Sequence, residues 1–221
     1  MGIMDGSPVE RVAGAVWQTQ HGTSPFEPMG RRRHATQFVA CFPKPVGGGR
    51  HDSLERMFCR WHFCHCKKGV AAVGKTKRGK GTKLMVLADG AGSPLGIHVD
   101  AASPAEVTLL PATLEQLDQA QLAGSPERLI ANKAYDSNKA RQQLVERGIE
   151  PIIPARSNNR KATHQDGRKL RRYRHRWIVE RTNSWLQNFR RLVVRYEKSV
   201  ENFKAMLHMA CALICLNRVW G

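Results

Sequence analysis

The second half of the chain alternates apolar and polar stretches in an order typical of strands and helices. KLMVLAD (83–89), the turn GAGS and PLGIHVDAA (94–102) predict two strands joined as a hairpin. PAEVTLLPATLEQLDQAQL (104–122) predicts one or two helical pieces that break or start at Pro111. RLIANKAY (128–135) predicts a short strand that runs into a polar loop. This order indicates an α/β domain that begins with a hairpin.

The C-terminal part continues the alternation and ends in helices. SNKARQQLVERG (137–148) predicts a helix, and IEPIIPAR (149–156) predicts a final strand whose prolines place it at a sheet edge or a strand end. Two long helices are predicted over residues 171–195 and 200–220. Residues 1–56 mix Pro, Gly, Arg and His without a period of 2 or 3.6, and we expect little order there.

The charge of the chain indicates a polyanionic partner. Its 221 residues carry 36 Lys and Arg against 18 Asp and Glu, a formal net charge of +18. Nucleic acid is the first candidate partner and an acidic membrane surface the alternative. No apolar run reaches the roughly 18 residues that a membrane-spanning helix needs, and the N-terminus lacks the pattern of a signal peptide. We therefore expect a cytoplasmic protein with reduced cysteines.

GVAAVGKT (69–76) fits the phosphate-loop pattern G-x-x-x-x-G-K-T. That pattern binds a nucleotide only where a strand enters the loop and a helix leaves it. Here the following glycines in KRGKGTK break a helix, so we favour a flexible basic loop that either contacts a nucleic-acid backbone or is simply solvated. The candidate DNA-binding residues of this loop are Lys75, Lys77, Arg78, Lys80 and Lys83.

CRWHFCHC (59–66) has the residue types of a metal site. A structural zinc site needs two pairs of ligands separated by a folded stretch. Cysteine and histidine are packed too tightly here to close around one ion, and no second pair follows nearby. A zinc-dependent nucleic-acid-binding protein is kept as an alternative interpretation.

The helix predicted over 171–195 is rich in arginine and has one carboxylate on its polar face. At about 100° per residue, one face carries Tyr173, Arg176, Glu180 and Gln187, and the opposite face carries Ile178, Trp185, Phe189 and Leu192. The further candidate DNA-binding residues are Arg171, Arg172, Arg174 and Arg181. Glu180 is then either a surface glutamate in a salt bridge or a metal-binding carboxylate beside arginines that hold phosphates.

From about residue 67 to residue 220 the chain resembles the bacterial insertion-sequence transposases of the DDE type. The resemblance is carried by LIANKAYDSNKARQQLVERGIEPIIPARSNN and then YRHRWIVERTNSWLQNFRRLVVRYEKS, with the spacing Tyr-x2-Arg-x3-Glu at Tyr173, Arg176 and Glu180. It implies a ribonuclease H-like mixed sheet with flanking helices and two C-terminal helices. It also implies a bacterial cytoplasmic protein that binds the element ends and a target in DNA, with a homodimer processing two ends together.

The resemblance implies a site in which three carboxylates hold two Mg²⁺ ions for strand cleavage and strand transfer. Glu180 fits the third position. The second position is Asn132, where the family has aspartate, and Asp136 is a weak candidate to substitute for it. The first position is empty: MFCRWHFCHC (57–66) stands where the family has a strand with aspartate, and Asp89 lies one strand too late.

The missing aspartate suggests a frameshift. Read one base later, codons 59–67 permit Val-Asp-Gly-Thr-Phe-Ala-Thr-Ala-Lys, and the coding DNA tests this: if that frame does not encode Asp-Gly, the hypothesis fails. We therefore expect a truncated or frameshifted transposase with a poorly ordered or frameshifted region at 1–66, a catalytic domain at 67–221 and a degraded first strand. Its metal-dependent activity is expected to be impaired, and a non-catalytic DNA-binding remnant is the alternative.

Overall fold

The computed structural model describes residues 55–119, 126–156 and 167–220. The strands are β1 (Arg56–Cys66), β2 (Gly74–Thr76), β3 (Gly79–Asp89), β4 (Pro94–Ala101), β5 (Arg128–Ala131), β6 (Glu150–Ile152) and β7 (Val194–Arg195). The α-helices are α1 (Glu106–Gln119), α2 (Asn138–Glu146), α3 (Gly167–Leu170), α4 (Trp177–Gln187), α5 (Arg190–Val193) and α6 (Val200–Trp220). Two 3₁₀ segments, Lys133–Tyr135 and Arg171–Arg176, precede α2 and α4.

β1 is the central strand of a mixed sheet. It pairs antiparallel with β3, from Met57 opposite Asp89 to His65 opposite Gly81. On its other side it pairs parallel with β5, with Cys59 opposite Ala131. The sequence analysis expects this strand to be degraded, but the structure contains it in full over 11 residues. Aromatic and apolar residues of MFCRWHFCHC satisfy the pattern of a buried strand even though the expected aspartate is absent.

The sheet has the strand order β4-β3-β1-β5-β6, in which β2 pairs with β3 and β7 pairs with β1. The strand β3 is antiparallel to both of its long neighbours, β4 and β1, whereas β1, β5 and β6 are parallel. This is the ribonuclease H-like arrangement that the resemblance implies, so the predicted fold class is confirmed. The two predicted strands of the first hairpin are confirmed as β3 and β4.

Apolar side chains cover both faces of the sheet. Successive side chains of a strand point to opposite faces. Accordingly, Phe58 and Cys64 belong to one buried cluster, which includes residues of α4 and α6. Met57 and Cys59 belong to the other cluster, which includes residues of α1 and α2. The helix α4 therefore lies on the face of β1 to which residues 58, 60, 62 and 64 point.

The helix predicted over 171–195 is several elements instead of one. Residues 171–176 are 3₁₀, α4 ends at Gln187, and Phe189 adopts an extended backbone before the short helix α5. The last two residues, Val194 and Arg195, form β7 beside the end of β1. The prediction was wrong here because two adjacent β-branched valines and a strand partner favour an extended chain over a further helical turn. The predicted helix over 200–220 is confirmed as α6.

Pro111 lies inside α1 and does not break it. Proline in a helix interior costs about 3 kcal/mol. Leu109, Leu110, Leu114 and Leu117 of this helix are buried, and burial of each leucine side chain contributes about 1.5–3 kcal/mol. Packing against the sheet therefore outweighs the lost backbone hydrogen bond.

The basic loop predicted after residue 74 is a β-hairpin. Thr76 pairs with Gly79 across a turn made by Lys77 and Arg78. Gly79 has φ of 105°, a conformation that residues with a side chain rarely adopt. The prediction of a flexible loop was wrong because a glycine that allows the turn and a long partner strand favour pairing.

The sheet begins before the domain boundary predicted at residue 67, because β1 starts at Arg56. Residues 1–54 lie outside the described residues, so the predicted lack of order there stays a prediction. Within the described ranges, no helix is both long enough and apolar enough to cross a membrane.

Candidate nucleic-acid interface

A pocket of about 450 Å³ opens between β1, the end of β5 and α4. We call it the Glu180 pocket. Asn132 and Glu180, the residues predicted for the second and third acidic positions, both line it. Arg60, His62, Arg78 and Gln187 also line it. The structure thus brings together Arg60, Asn132 and Glu180 from three parts of the chain, although 72 positions separate Arg60 from Asn132 and 48 separate Asn132 from Glu180.

Arg60 and Glu180 form the main ion pair of this pocket. Arg60 Nη1 donates to Glu180 Oε1 over 2.7 Å. Arg176 Nε, one helical turn before Glu180, lies 3.5 Å from the same oxygen. The carboxylate of Glu180 therefore already has two guanidinium partners.

Asn132 follows β5 directly and begins the 3₁₀ segment. Cys59 lies opposite Ala131 in the parallel register. The residues that come next are Arg60 in β1 and Asn132 directly after β5. Asn132 Oδ1 accepts a hydrogen bond from Ala134 N over 2.8 Å, so its side chain caps this segment. The backbone N–H of Ala134 thus binds the Asn132 side-chain oxygen, which could otherwise face the pocket.

Asp136 is not among the residues that line the Glu180 pocket. Its Oδ1 accepts from Arg141 Nη2 over 2.9 Å, and its Oδ2 accepts from the backbone N–H of Arg156 over 2.8 Å. The Asp136 side chain is only 4% exposed. These contacts tie the loop after β5 to α2 and to the chain after β6, and the role of Asp136 as a substitute for the second acid stays a prediction.

His62 lines the same pocket and carries little positive charge near neutral pH. Its Nδ1 lies 3.3 Å from Gln187 Nε2. Burial lowers the pKa of His62, and the nearby Arg78 and Arg60 guanidinium groups lower the pKa further. The permanent positive charges of the pocket are therefore its arginines.

A model of the family Transposase DDE domain matches residues 60–215. The chain belongs to this family. A curated relative, the "Putative transposase for insertion sequence element IS402" of Burkholderia cepacia, is 36% identical over 142 residues, which cover 62% of this chain and 64% of that protein. The chain thus spans about 64% of the length of this relative.

Two solved structures have a distant likeness to the chain. One is the cryo-EM structure of the piggyBac transposase synaptic complex with hairpin DNA, with 10% identity and a TM-score of 0.49 over 74% of this chain and 46% of that chain. The other is the crystal structure of the Mos1 strand transfer complex, with 10% identity and a TM-score of 0.35 over 84% of this chain and 68% of that chain.

The DDE transposase family implies a divalent metal, generally Mg²⁺, and the residues of the Glu180 pocket do not fit it. Magnesium is held by oxygen ligands, chiefly carboxylates. Glu180 is the single carboxylate among the lining residues of this pocket, and Arg60 binds it directly. Across the described residues, no group of three His, Cys, Asp or Glu side chains is placed to hold a metal ion.

The zinc interpretation of residues 59–66 was also wrong. Cys59 and Cys64 belong to the apolar clusters on opposite faces of the sheet, because strand side chains alternate. Burial raises the pKa of each thiol to about 12, so neither is a thiolate at neutral pH. These cysteines act as small apolar residues of the core.

Residues 69–76 do not form the strand–loop–helix arrangement of a phosphate loop, a pattern that the sequence already disfavoured. The stretch leads directly into the strands β2 and β3 instead of into a helix. Without that helix, the backbone donors and the dipole that would hold a phosphate are missing.

Most of the predicted DNA-binding cations of this transposase-family protein lie on its surface. The exposed ones are Lys75, Lys77, Arg78, Lys80, Arg171, Arg174 and Arg176. Arg172 and Tyr173 are half-buried, and the Tyr173 hydroxyl accepts from Arg176 Nη1 over 2.7 Å. The exposed side chains remain available to contact a phosphate backbone.

Lys83 and Arg181 have structural partners that the sequence analysis missed. Lys83 is 4% exposed, and its ammonium donates to Pro104 O and lies 3.3 Å from Glu106 Oε1. Arg181 Nη2 donates to Ala91 O over 2.8 Å, and its guanidinium lies 4.8 Å from two tryptophan rings of α4. Both cations hold elements of the fold together, and their predicted contact with DNA stays a prediction.

Arg60 is the residue of the pocket that the sequence analysis did not single out. The signal for it was the alternation along β1, in which residues 58, 60, 62 and 64 share the face that α4 covers. Once β1 is recognised as a strand, Arg60 is expected to point toward Glu180.

Proposed function

We propose that this protein binds DNA as a member of the DDE transposase family but does not carry out metal-dependent strand cleavage or strand transfer. The observation that supports this proposal is the Arg60–Glu180 ion pair, 2.7 Å long, inside the pocket that also contains Asn132.

The proposal assigns Arg60, Asn132 and Glu180 to the three positions that are acidic in the family. The shifted frame would place the first aspartate at residue 60, and Asn132 and Glu180 match the family pattern by sequence. Three carboxylates would carry three negative charges, whereas an arginine, an amide and a glutamate sum to zero. At an effective dielectric constant of about 20, a divalent ion about 4 Å from a guanidinium is repelled by about 8 kcal/mol. A metal pair is therefore disfavoured here.

DNA binding is supported by charge and exposure. The chain carries a formal net charge of +18, and exposed cations lie on the β2–β3 turn, where Arg78 lines the Glu180 pocket, and on the 3₁₀ segment before α4, where Arg176 contacts Glu180. Such side chains bind phosphates without a metal ion and release counterions, so the affinity should fall steeply with salt. We further propose that two copies associate on DNA, as the resemblance to the insertion-sequence transposases implies.

The wild-type protein is expected to bind duplex DNA at least as tightly in EDTA as in Mg²⁺ at matched ionic strength, and to leave supercoiled plasmid intact in Mg²⁺ or Mn²⁺. The reason is that arginine and lysine supply the contacts while the pocket holds no metal. Fluorescence anisotropy measures the binding, and conversion of supercoiled to nicked plasmid measures the cleavage.

Glu180→Ala is the control for this experiment. Robust nicking by the wild type that this substitution abolishes would overturn the proposal, because Glu180 would then be serving a metal site. Nicking that survives in Glu180→Ala indicates a contaminating nuclease and leaves the expected absence of intrinsic cleavage in place. Absence of DNA binding would overturn the binding part of the proposal.

A further inference from the structure

A second cavity, of about 400 Å³, lies between Trp61, the β2–β3 turn and the start of α1. We call it the Trp61 cavity. Its volume falls in the range of small-ligand pockets, about 300–1,000 Å³. Trp61 and Phe63 form an aromatic wall, and Pro104 and Ala105 also line the cavity. Neither the proposed DNA-binding role nor the fold explains why an open space is kept beside a half-buried tryptophan.

The Trp61 cavity combines this aromatic wall with buried polar groups. Lys83 Nζ lies 5.2 Å from the centre of the Trp61 ring and 3.3 Å from Glu106 Oε1, and both charged residues line the cavity. The side chains of Lys83 and Glu106 are 5% and 18% exposed. A flat ligand that lies against the indole would thus meet one ammonium and one carboxylate at its edge.

The outer rim of the cavity is cationic. Lys77 and Arg78 form the exposed turn of the β2–β3 hairpin and line the cavity. The Arg78 guanidinium lies 5.7 Å from the centre of the Trp61 ring. An exposed contact of this kind contributes about 0.5–1 kcal/mol. A ligand that stacks on the indole in place of the Arg78 guanidinium therefore loses little free energy.

We infer that the Trp61 cavity binds one unpaired nucleobase of DNA, stacked on Trp61, with the attached phosphates held by the cations of the β2–β3 turn. Bases stack on aromatic side chains with about 1–3 kcal/mol per base. Base edges carry both donors and acceptors, which the Lys83–Glu106 pair can match. The inference rests on the proposed DNA-binding function and adds recognition of a base outside the double helix.

The position of Trp61 connects the two cavities. Trp61, Phe63 and Arg78 line both the Trp61 cavity and the Glu180 pocket. A nucleotide with its base on Trp61 would therefore place its backbone within reach of Arg78, the cation that both cavities share. Paired bases inside a duplex cannot reach such a site without leaving the stack, so the ligand class is a single-stranded or unpaired nucleotide.

The test compares two single-stranded 12-mers of identical charge. One consists of abasic nucleotides only, and the other carries a single central 2-aminopurine base. The full-length wild-type protein is expected to bind the 2-aminopurine strand about tenfold more tightly than the abasic strand, and the 2-aminopurine fluorescence is expected to fall on binding because of stacking. Equal affinities for the two strands would overturn the inference.

Two substitutions locate the base. Trp61→Leu removes the indole, and Ala105→Leu fills the cavity from an exposed position. Each substitution should make the affinities for the 2-aminopurine strand and the abasic strand equal, while the affinity for the abasic strand stays within about twofold of the wild-type value. Ala105→Leu keeps the test decisive if Trp61→Leu does not fold. Trp177→Leu is the matched control, because Trp177 is 50% exposed and lies outside both cavities.

The outcomes separate this inference from the proposed function. A tenfold preference that persists in Ala105→Leu, or that Trp177→Leu removes, places the base elsewhere and overturns the inference. Tight binding of both strands without any preference overturns the inference but supports DNA binding. Failure to bind either strand or duplex DNA overturns both.

Discussion

Replacing Arg60 and Asn132 together by aspartate is expected to give the protein a divalent-metal site that the wild type lacks. The double substitution removes the guanidinium that binds Glu180 over 2.7 Å and places two carboxylates beside it. It changes the formal charge of the three side chains from zero to minus three. Carboxylate oxygens are the ligands that Mg²⁺ and Mn²⁺ prefer, so titration calorimetry with Mn²⁺ should show saturable binding for the double variant only.

The reference variant for this experiment is the triple substitution Arg60→Asp, Asn132→Asp and Glu180→Ala. It keeps the added carboxylates but removes the residue that the new site should share, so its affinity for Mn²⁺ should fall at least tenfold. Arg147→Asp is a second reference, because it places a carboxylate beside Asp118, whose partner is now Arg147 at 3.0 Å, away from the pocket. Metal binding by the triple variant equal to that of the double variant would contradict the assignment of Glu180.

The same double variant links metal binding to cleavage. If the three positions correspond to the acidic positions of the family, metal binding should be accompanied by nicking of supercoiled plasmid that EDTA abolishes. Metal binding without nicking would indicate that the carboxylates converge while the surrounding residues no longer position DNA. Trp61 and Arg78, which also line the pocket, are then the next residues to replace.

The fold could be predicted from the sequence because its strong signals are local. The apolar stretches of β3, β4 and α6 are long and well bounded, and the spacing of Tyr173, Arg176 and Glu180 lies within one polar stretch. The strand β1 was misjudged for a different reason. The strand was predicted to be degraded because it lacks the aspartate of the family. The sheet, however, requires only apolar, β-compatible side chains at buried positions, and Phe58 and Cys64 meet that requirement.

The candidate site could be predicted only in part. Glu180 and Asn132 were identified through the family pattern, and the structure places both in one pocket. The Arg60–Glu180 pair joins residues 120 positions apart, so no local pattern reports it. The contact of Lys83 with Glu106 was missed for the same reason, since the two residues meet only when β3 lies beside the start of α1. Periodicity and spacing along the sequence do not predict the contacts that residues of distant elements make in a site.

Replacing Arg195 by methionine is expected to destabilise the domain by about 3 kcal/mol or more. Arg195 is fully buried, and its guanidinium donates to Ala71 O over 2.9 Å and to Thr82 Oγ1 over 3.0 Å. It also donates to Glu197 O and Lys198 O and lies 5.4 Å from the Phe203 ring. Methionine fills similar space but removes these hydrogen bonds from a charged donor, worth about 1.5–3 kcal/mol each, and leaves the fully buried Thr82 hydroxyl without this donor.

Urea unfolding monitored by circular dichroism measures this effect, and the midpoint should fall by roughly 1–2 M with an unchanged slope. Arg191→Met is the matched control, because the Arg191 side chain is 70% exposed and pairs with Glu197 at the surface, where such pairs contribute about 0–1 kcal/mol. Equal midpoints for the two variants would show that the buried guanidinium is dispensable. A large difference confined to Arg195 would instead identify it as the link that holds the loop before β2, the strand β3 and the start of α6 together. The β2–β3 turn would then owe its position beside the Glu180 pocket to a buried arginine that does not line that pocket.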